Sequence, residues 1–156
     1  MSTPATHLNP LIKQGDRIHE QTVNVVKGSP TESWGWKTCD SAMSLGELAN
    51  HFYLAEVGLI DALKTGKFAS GERPEPKTNA ADLVVAFNEA HVALNAAIAS
   101  LTAEQLAEEI APFGEKYGTM TRKALLHSMH EHEIHHRGQL YVYLRMLDVP
   151  VPPLFG

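Results

Sequence analysis

The stretch Thr121-Arg-Lys-Ala-Leu125-Leu-His127-Ser-Met-His130-Glu-His132-Glu-Ile-His135-His136-Arg-Gly-Gln139-Leu-Tyr-Val-Tyr143-Leu-Arg-Met-Leu147 decides how this chain is read. Five of the nine histidines fall between His127 and His136. Histidine is the commonest metal ligand and titrates near neutral pH, so the cluster demands a chemical explanation. The stretch reads as one helix, opening near Thr119 or Thr121 and stopped by Pro150, Pro152 and Pro153. At about 100° per residue, Leu125, Ser128, Met129, His135, His136, Gln139, Tyr143, Met146 and Leu147 fall within about 60° of His132. That face is mostly apolar. His127 and His130 phase to the far side, and His135 lies at the edge. His132 and His136, one turn apart, can converge on one metal ion.

Three further helical patterns precede this one. The first runs from about Pro4 or Pro10 to Val26, with Leu8, Leu11, Ile12, Ile18, His19, Val23 and Val26 on a stripe. The second opens at Ser44-Leu-Gly-Glu47, a capping-box pattern, and runs to about Lys64 with Gly66 as its C-terminal cap. The third is alanine-rich and spans about Asn79 to Ser100. Thr102-Ala-Glu-Gln105 is another capping box for a short helix, and Gly66 to Lys77 reads as a connector. No segment alternates convincingly at period two. The fold expected is therefore all-α, a four-helix bundle occupying residues 1–156 as one domain.

Composition narrows the function classes. Thirteen basic against 18 acidic residues give −5, so the positive field that carries nucleic-acid binding is missing. No run approaches the roughly 20 apolar residues of a membrane span. The N-terminus has no basic region followed by an apolar core, and one cysteine, Cys39, precludes an internal disulfide. A cytoplasmic protein without nucleic-acid or membrane partners is expected.

A third ligand must join His132 and His136. The sequence His132-Glu133-Ile-His-His136 matches H-E-x-x-H, the zinc-protease signature, with Glu133 as general base. Such proteases usually take their third ligand downstream, yet residues 137–156 contain no His, Glu or Cys. Upstream, the candidates are His7, His19, His51 and His91. His51 shares a helical face with Leu48, Leu54, Ala55, Gly58, Leu59 and Ala62, and is the preferred one. His19 ranks second, with a core histidine as its plainer reading; His7 and His91 lack such support.

One histidine in the second helix, His51 in Ser44-Leu-Gly-Glu-Leu-Ala-Asn-His51, followed by His132-Glu-Ile-His-His136-Arg137-Gly138-Gln139 in the fourth, resembles the DinB/YfiT-like family of four-helix metalloproteins. The tail from Leu144 to Pro153 is also similar to that family's ending. The resemblance implies a divalent metal, usually zinc or nickel, held by His51, His132 and His136. It also implies frequent homodimerisation and, for some relatives, metal-dependent transfer reactions using a low-molecular-weight thiol. It does not imply DNA repair.

Three imidazoles leave an open coordination position, the pattern of a catalytic site. A thiol or a water bound there is more readily deprotonated, giving a thiol transferase or a hydrolase acting on a small molecule. A metal-stabilised binding module without catalysis and an H-E-x-x-H protease are the alternatives. Three residues are candidates for supporting catalytic roles. Gln139 could orient a ligand or bound water, and Tyr143 could line the pocket or sit in the core. Glu47 could hold the second nitrogen of His51 or cap its helix. Arg137 phases outward, where an ion pair is expected. Cys39 is a conceivable fourth ligand or nucleophile without ligand spacing. Trp34 and Trp36 either wall the pocket or cover the bundle's end. Leu126, Ile134, Tyr141 and Leu144 form a second, outward stripe, read as a surface for another helix or a partner subunit.

Overall fold

The computed structural model describes residues 9–68 and 73–154, so His7 and any helical turn before Asn9 lie outside the described residues. The order is α1 (Asn9–Lys27), α2 (Leu45–Thr65), α3 (Ala80–Ala99), the short α4 (Ala103–Ala107), β1 (Glu109–Ile110), β2 (Met120–Thr121) and α5 (Arg122–Met146). The all-α bundle expected from the patterns is what the chain forms. The departure is the β1–β2 pair, antiparallel with Glu109 opposite Thr121 and Ile110 opposite Met120. Two residues per strand are too few to display an alternating pattern.

Local chemistry sets the helix ends. Ser44 Oγ accepts from the Glu47 amide, and the Glu47 carboxylate accepts from the Ser44 amide at 2.6 Å. Gly66 ends α2 at φ 83°, a left-handed conformation that glycine adopts without the Cβ penalty. Thr102 and Gln105 form the second capping box, before α4. Thr121 Oγ1 accepts from the Ala124 amide to open α5.

Helices α1 and α2 each pack broadly against both α3 and α5. Thus α1 and α2 face one another diagonally, while α2 and α5 share a seam. Two apolar cores result. One gathers Val26, Trp34, Leu48, Phe52, Phe87 and Leu140; the other gathers Leu11, Leu59, Leu94, Ile98, Leu125 and Leu126. Burying each such large side chain contributes about 1.5–3 kcal/mol.

A polar layer separates them. Between the apolar positions of each long helix lie His19 of α1, Glu56 of α2, His91 of α3, and Glu133 and Arg137 of α5. This corrects the phasing of the final helix. Its core face runs through Leu125, Leu126, His130, Arg137, Leu140, Tyr143 and Leu144. Arg137, expected to point outward, is buried and donates to the Ile18 carbonyl at 3.0 Å. His130, expected on the far side, is buried against α1, where a Cβ on Gly15 would stand 3.2 Å from its Nε2. Leu126 and Leu144, expected on an outward stripe, are fully buried. Centring the face on His132, which lies at the edge of the buried side, rotates the inferred face away from Arg137 and Leu126. Of that stripe Ile134 is exposed, while Tyr141 is half-buried with its hydroxyl donating to the Pro152 carbonyl.

Candidate metal centre

His51 sits at the edge of the buried face of α2, turned toward α5, so it is half-buried, as are His132 and His136. The Nε2 atoms of His51 and His132 are 3.0 Å apart. The ring of His136 lies 4.5 Å from that of His51 and 4.4 Å from that of His132. The three ring planes meet at 56°, 80° and 77°. Imidazole lone pairs lie in the ring plane, so steeply inclined rings can aim three of them at one point. One donor nitrogen from each residue lies within 4.8 Å of the others, and the three could hold a metal ion. A tetrahedral ion with bonds of about 2.0–2.1 Å needs its nitrogens about 3.3–3.4 Å apart, a small relaxation from the spacing found.

The electrostatics favour the ligand form. Burial holds the His51 pKa down to about 4, aided by the charges of His136, His132 and Arg73. Burial likewise lowers His132, with His136 and His135 adding to it. Both rings are therefore neutral at pH 7, as coordination requires. His136 donates from Nδ1 to the Gln139 Oε1 at 2.7 Å, which leaves its Nε2 as the lone-pair nitrogen. Gln139 thus reaches the ring of His136.

The other candidates are placed elsewhere. Glu47 serves the capping box and lies 3.9 Å from Lys37, so its carboxylate holds the helix end rather than His51. Tyr143 is buried, donates its hydroxyl to the Met43 carbonyl at 2.9 Å and meets Trp36 edge-on. It is a core tyrosine. Trp34 is buried with its indole N–H on Ser29 Oγ, and borders a surface depression that also contains His51, Pro76 and Lys77. Cys39 is exposed, paired with Ser41 Oγ at 3.5 Å, and its thiol pKa is lowered by that hydroxyl and by Thr38. His127 and His135 are exposed; His135 stands edge-on to His136 at 5.0 Å.

A second histidine cluster lies inside the bundle. His91 Nδ1 is 2.8 Å from Glu56 Oε1 and its Nε2 is 2.9 Å from Asp16 Oδ1. His19 places Nε2 on Asn88 Oδ1 at 2.9 Å and Nδ1 3.7 Å from Glu56 Oε1. Donor atoms of His19, Glu56 and His91 also come within 4.8 Å of one another. Their geometry argues against a shared ion. The rings of His19 and His91 are stacked at 3.9 Å with an interplanar angle of 10°, so their in-plane lone pairs run parallel and do not converge. The cluster reads as a hydrogen-bonded ion network. Burial opposes charge on His91, but Glu56 and Asp16 outweigh it and its pKa lies above the ordinary value. A cavity of about 20 Å³, room for one water, borders Glu56, His91, His130, His132 and Glu133. Burial pushes the Glu133 carboxyl up to about 7.

Glu56 went unremarked in the sequence, and His91 was weighed there only as a ligand and set aside. The signal for His91 was available: it continues the stripe Leu83, Phe87, Leu94, Ile98. Glu56 follows Phe52 by one turn and precedes Leu59, but its charge disguised it.

An all-α bundle with three convergent histidines across the α2–α5 seam defines a class of helical proteins with a candidate metal site. Comparison with known proteins makes the class specific: a family model of the DinB superfamily matches residues 14–140. The protein YjoA of Bacillus subtilis strain 168 is 33% identical over 129 residues, covering 80% of each chain. The crystal structure of a DinB-like protein from Bacillus subtilis, also YjoA, superimposes with a TM-score of 0.76 at 27% identity, covering 94% of this chain and 97% of that one. A DinB-like protein from Bacillus cereus ATCC 10987 superimposes at 0.77 with 21% identity, over 94% and 96% of the two chains, which speaks for the fold alone. The chain belongs to the DinB superfamily.

Proposed function

We propose that this protein binds a divalent metal, zinc or nickel, through His51, His132 and His136, and uses it to transfer a group to or from a low-molecular-weight thiol. The observation that carries the reading is the set of three inclined, half-buried imidazoles, two of them held neutral by burial. A metal bound there would supply an open position at which a thiol is acidified. The chain's own residues hold the ligand rings: Gln139 fixes the His136 tautomer, and burial at the seam keeps His51 and His132 unprotonated. In the transfer itself the thiol loses its proton, its sulfur forms a bond to an electrophilic carbon, and the leaving group departs with the electrons of its bond.

The protease alternative draws no support from Glu133, whose side chain borders a cavity of only about 20 Å³, where a peptide has no room. Homodimerisation belongs to the same proposal. The exposed Ile134, Val142 and Met146 of α5 support it, and light scattering at micromolar concentration tests it. No helix among the described residues is long and apolar enough to cross a membrane.

The test is elemental analysis of untagged protein, followed by assay of zinc- and nickel-loaded protein with a panel of thiols and a fluorogenic electrophile. Conjugation that requires both the metal and His132 is expected. Stoichiometric metal that raises Tm without any turnover would overturn the enzymatic reading in favour of a binding module. Turnover of an ester without thiol would replace it with a hydrolase.

A further inference from the structure

Of the connector between α2 and α3, residues 66–68 and 73–79 are described, and both parts touch α2. At its start, Phe68 donates its amide to the Pro112 carbonyl, and its ring lies over Gly58, two turns beyond His51. At its end, Lys77 exchanges two hydrogen bonds with the side chain of Asn50, the residue before His51.

Along this connector runs an open groove of about 680 Å³, walled by Phe68, Phe113 and Tyr117 together with Lys67 and Arg73. That volume lies within the range of small-molecule pockets, about 300–1,000 Å³. Phe68 and Phe113 stack at 5.1 Å. Phe113 is 57% and Tyr117 73% exposed, and these are the only aromatic residues among the exposed large hydrophobic side chains described. Lys67 and Arg73 are exposed, and neither forms an ion pair among the described residues. Among the described residues, two exposed cations without an ion-pair partner thus line an aromatic groove whose Phe68 packs on α2 two turns beyond His51.

We infer that this groove is the substrate-recognition surface of the site, and that it takes a small anionic molecule with an apolar body. The aromatic wall receives the apolar part, and Lys67 and Arg73 receive a carboxylate or sulfonate. The assignment of this ligand as substrate rests on the proposed metal-dependent function; the groove's binding preference does not.

Two arms keep those apart. The first uses chelator-treated protein and 1-anilinonaphthalene-8-sulfonate, with uncharged N-phenyl-1-naphthylamine as control. Replacing Lys67 and Arg73 by Gln together should weaken the sulfonate by about tenfold or more, the scale of a charge-assisted hydrogen bond, and leave the neutral probe unchanged. Phe113→Ala should weaken both probes, and His132→Ala neither. Absence of saturable sulfonate binding, or equal loss of both probes in the double variant, overturns the inference. The second arm titrates cobalt-loaded protein with 4-mercaptophenylacetate and 4-methylbenzenethiol, read by thiolate-to-cobalt absorption. Preference for the carboxylate thiol, abolished by Arg73→Gln, joins groove and metal in one site; equal binding of the two thiols overturns that join. If neither thiol gives the absorption while the sulfonate still binds, the metal-thiol reading fails and the groove stands as an independent anion site.

Discussion

Two histidine clusters lie in this bundle, and the contrast between them teaches what separates a candidate ligand set from a hydrogen-bonded network. His51, His132 and His136 are half-buried at the seam of neighbouring helices, with ring planes inclined by 56–80°. His19 and His91 are buried at the bundle centre, stacked within 10° of parallel, and share Glu56. Composition is similar; direction and charge differ. At the seam burial lowers the pKa of His51 and of His132, whereas in the interior Glu56 and Asp16 raise that of His91 against its burial. A polar layer between two apolar cores also favours one axial alignment of α1, α2, α3 and α5, the one that pairs His91 with Glu56 and Asp16, a register role attested for buried polar groups elsewhere.

The largest effect should separate the clusters by metal affinity. His132→Ala should lower zinc affinity at least about 100-fold, since even loss of an outer partner costs about 10–100-fold. His91→Gln should leave it within a few-fold. Competition with a chromophoric chelator measures both, and equal losses would merge the two clusters into one site.

Stability should separate them in the opposite sense. Glu56→Gln should cost the metal-free protein about 3–5 kcal/mol in urea unfolding, the scale for breaking a buried pair, whereas His51→Ala should cost much less. The pH dependence carries a sign. The folded pKa of His91 lies above its unfolded value of about 6.5, so its contribution is fully present below that pH and fades as pH rises through the folded pKa. Wild type should therefore lose more stability than Glu56→Gln between about pH 6 and pH 8.5. A parallel pH profile for the two would show that the His91 proton is not held by Glu56.

The smallest effect refines the seam. Gln139→Ala removes the partner of His136 Nδ1 and should weaken zinc by about tenfold, the lower end for an outer partner at an exposed position. No change by the same chelator competition would mean that the ring is fixed by packing alone.

The legibility of the sequence follows the same contrast. Features encoded locally were readable: the capping boxes at Ser44 and Thr102, the Gly66 cap and the Thr121 start each depend on residues a few positions apart. His132 and His136 were readable from their i, i+4 spacing, and His51 from its place among the apolar residues of α2. Glu56, Glu133 and Arg137 were not, because their burial depends on partners from other helices. Arg137 is satisfied by a carbonyl 119 residues away, and no periodicity announces that. The groove at Phe113 and Tyr117 was equally hidden, since residues far apart in sequence form it.

The connector after α2 is fastened at both ends, by the Phe68 amide on Pro112 and by Lys77 on Asn50. Neither anchor uses a triad residue. The length and composition between them can therefore be exchanged without moving the histidines, and each doubling of such a loop costs only about 0.6 kcal/mol of closure entropy. The bundle thus works as a chassis: its seam keeps the three histidines in one arrangement, while the strap beside them is free to vary in sequence.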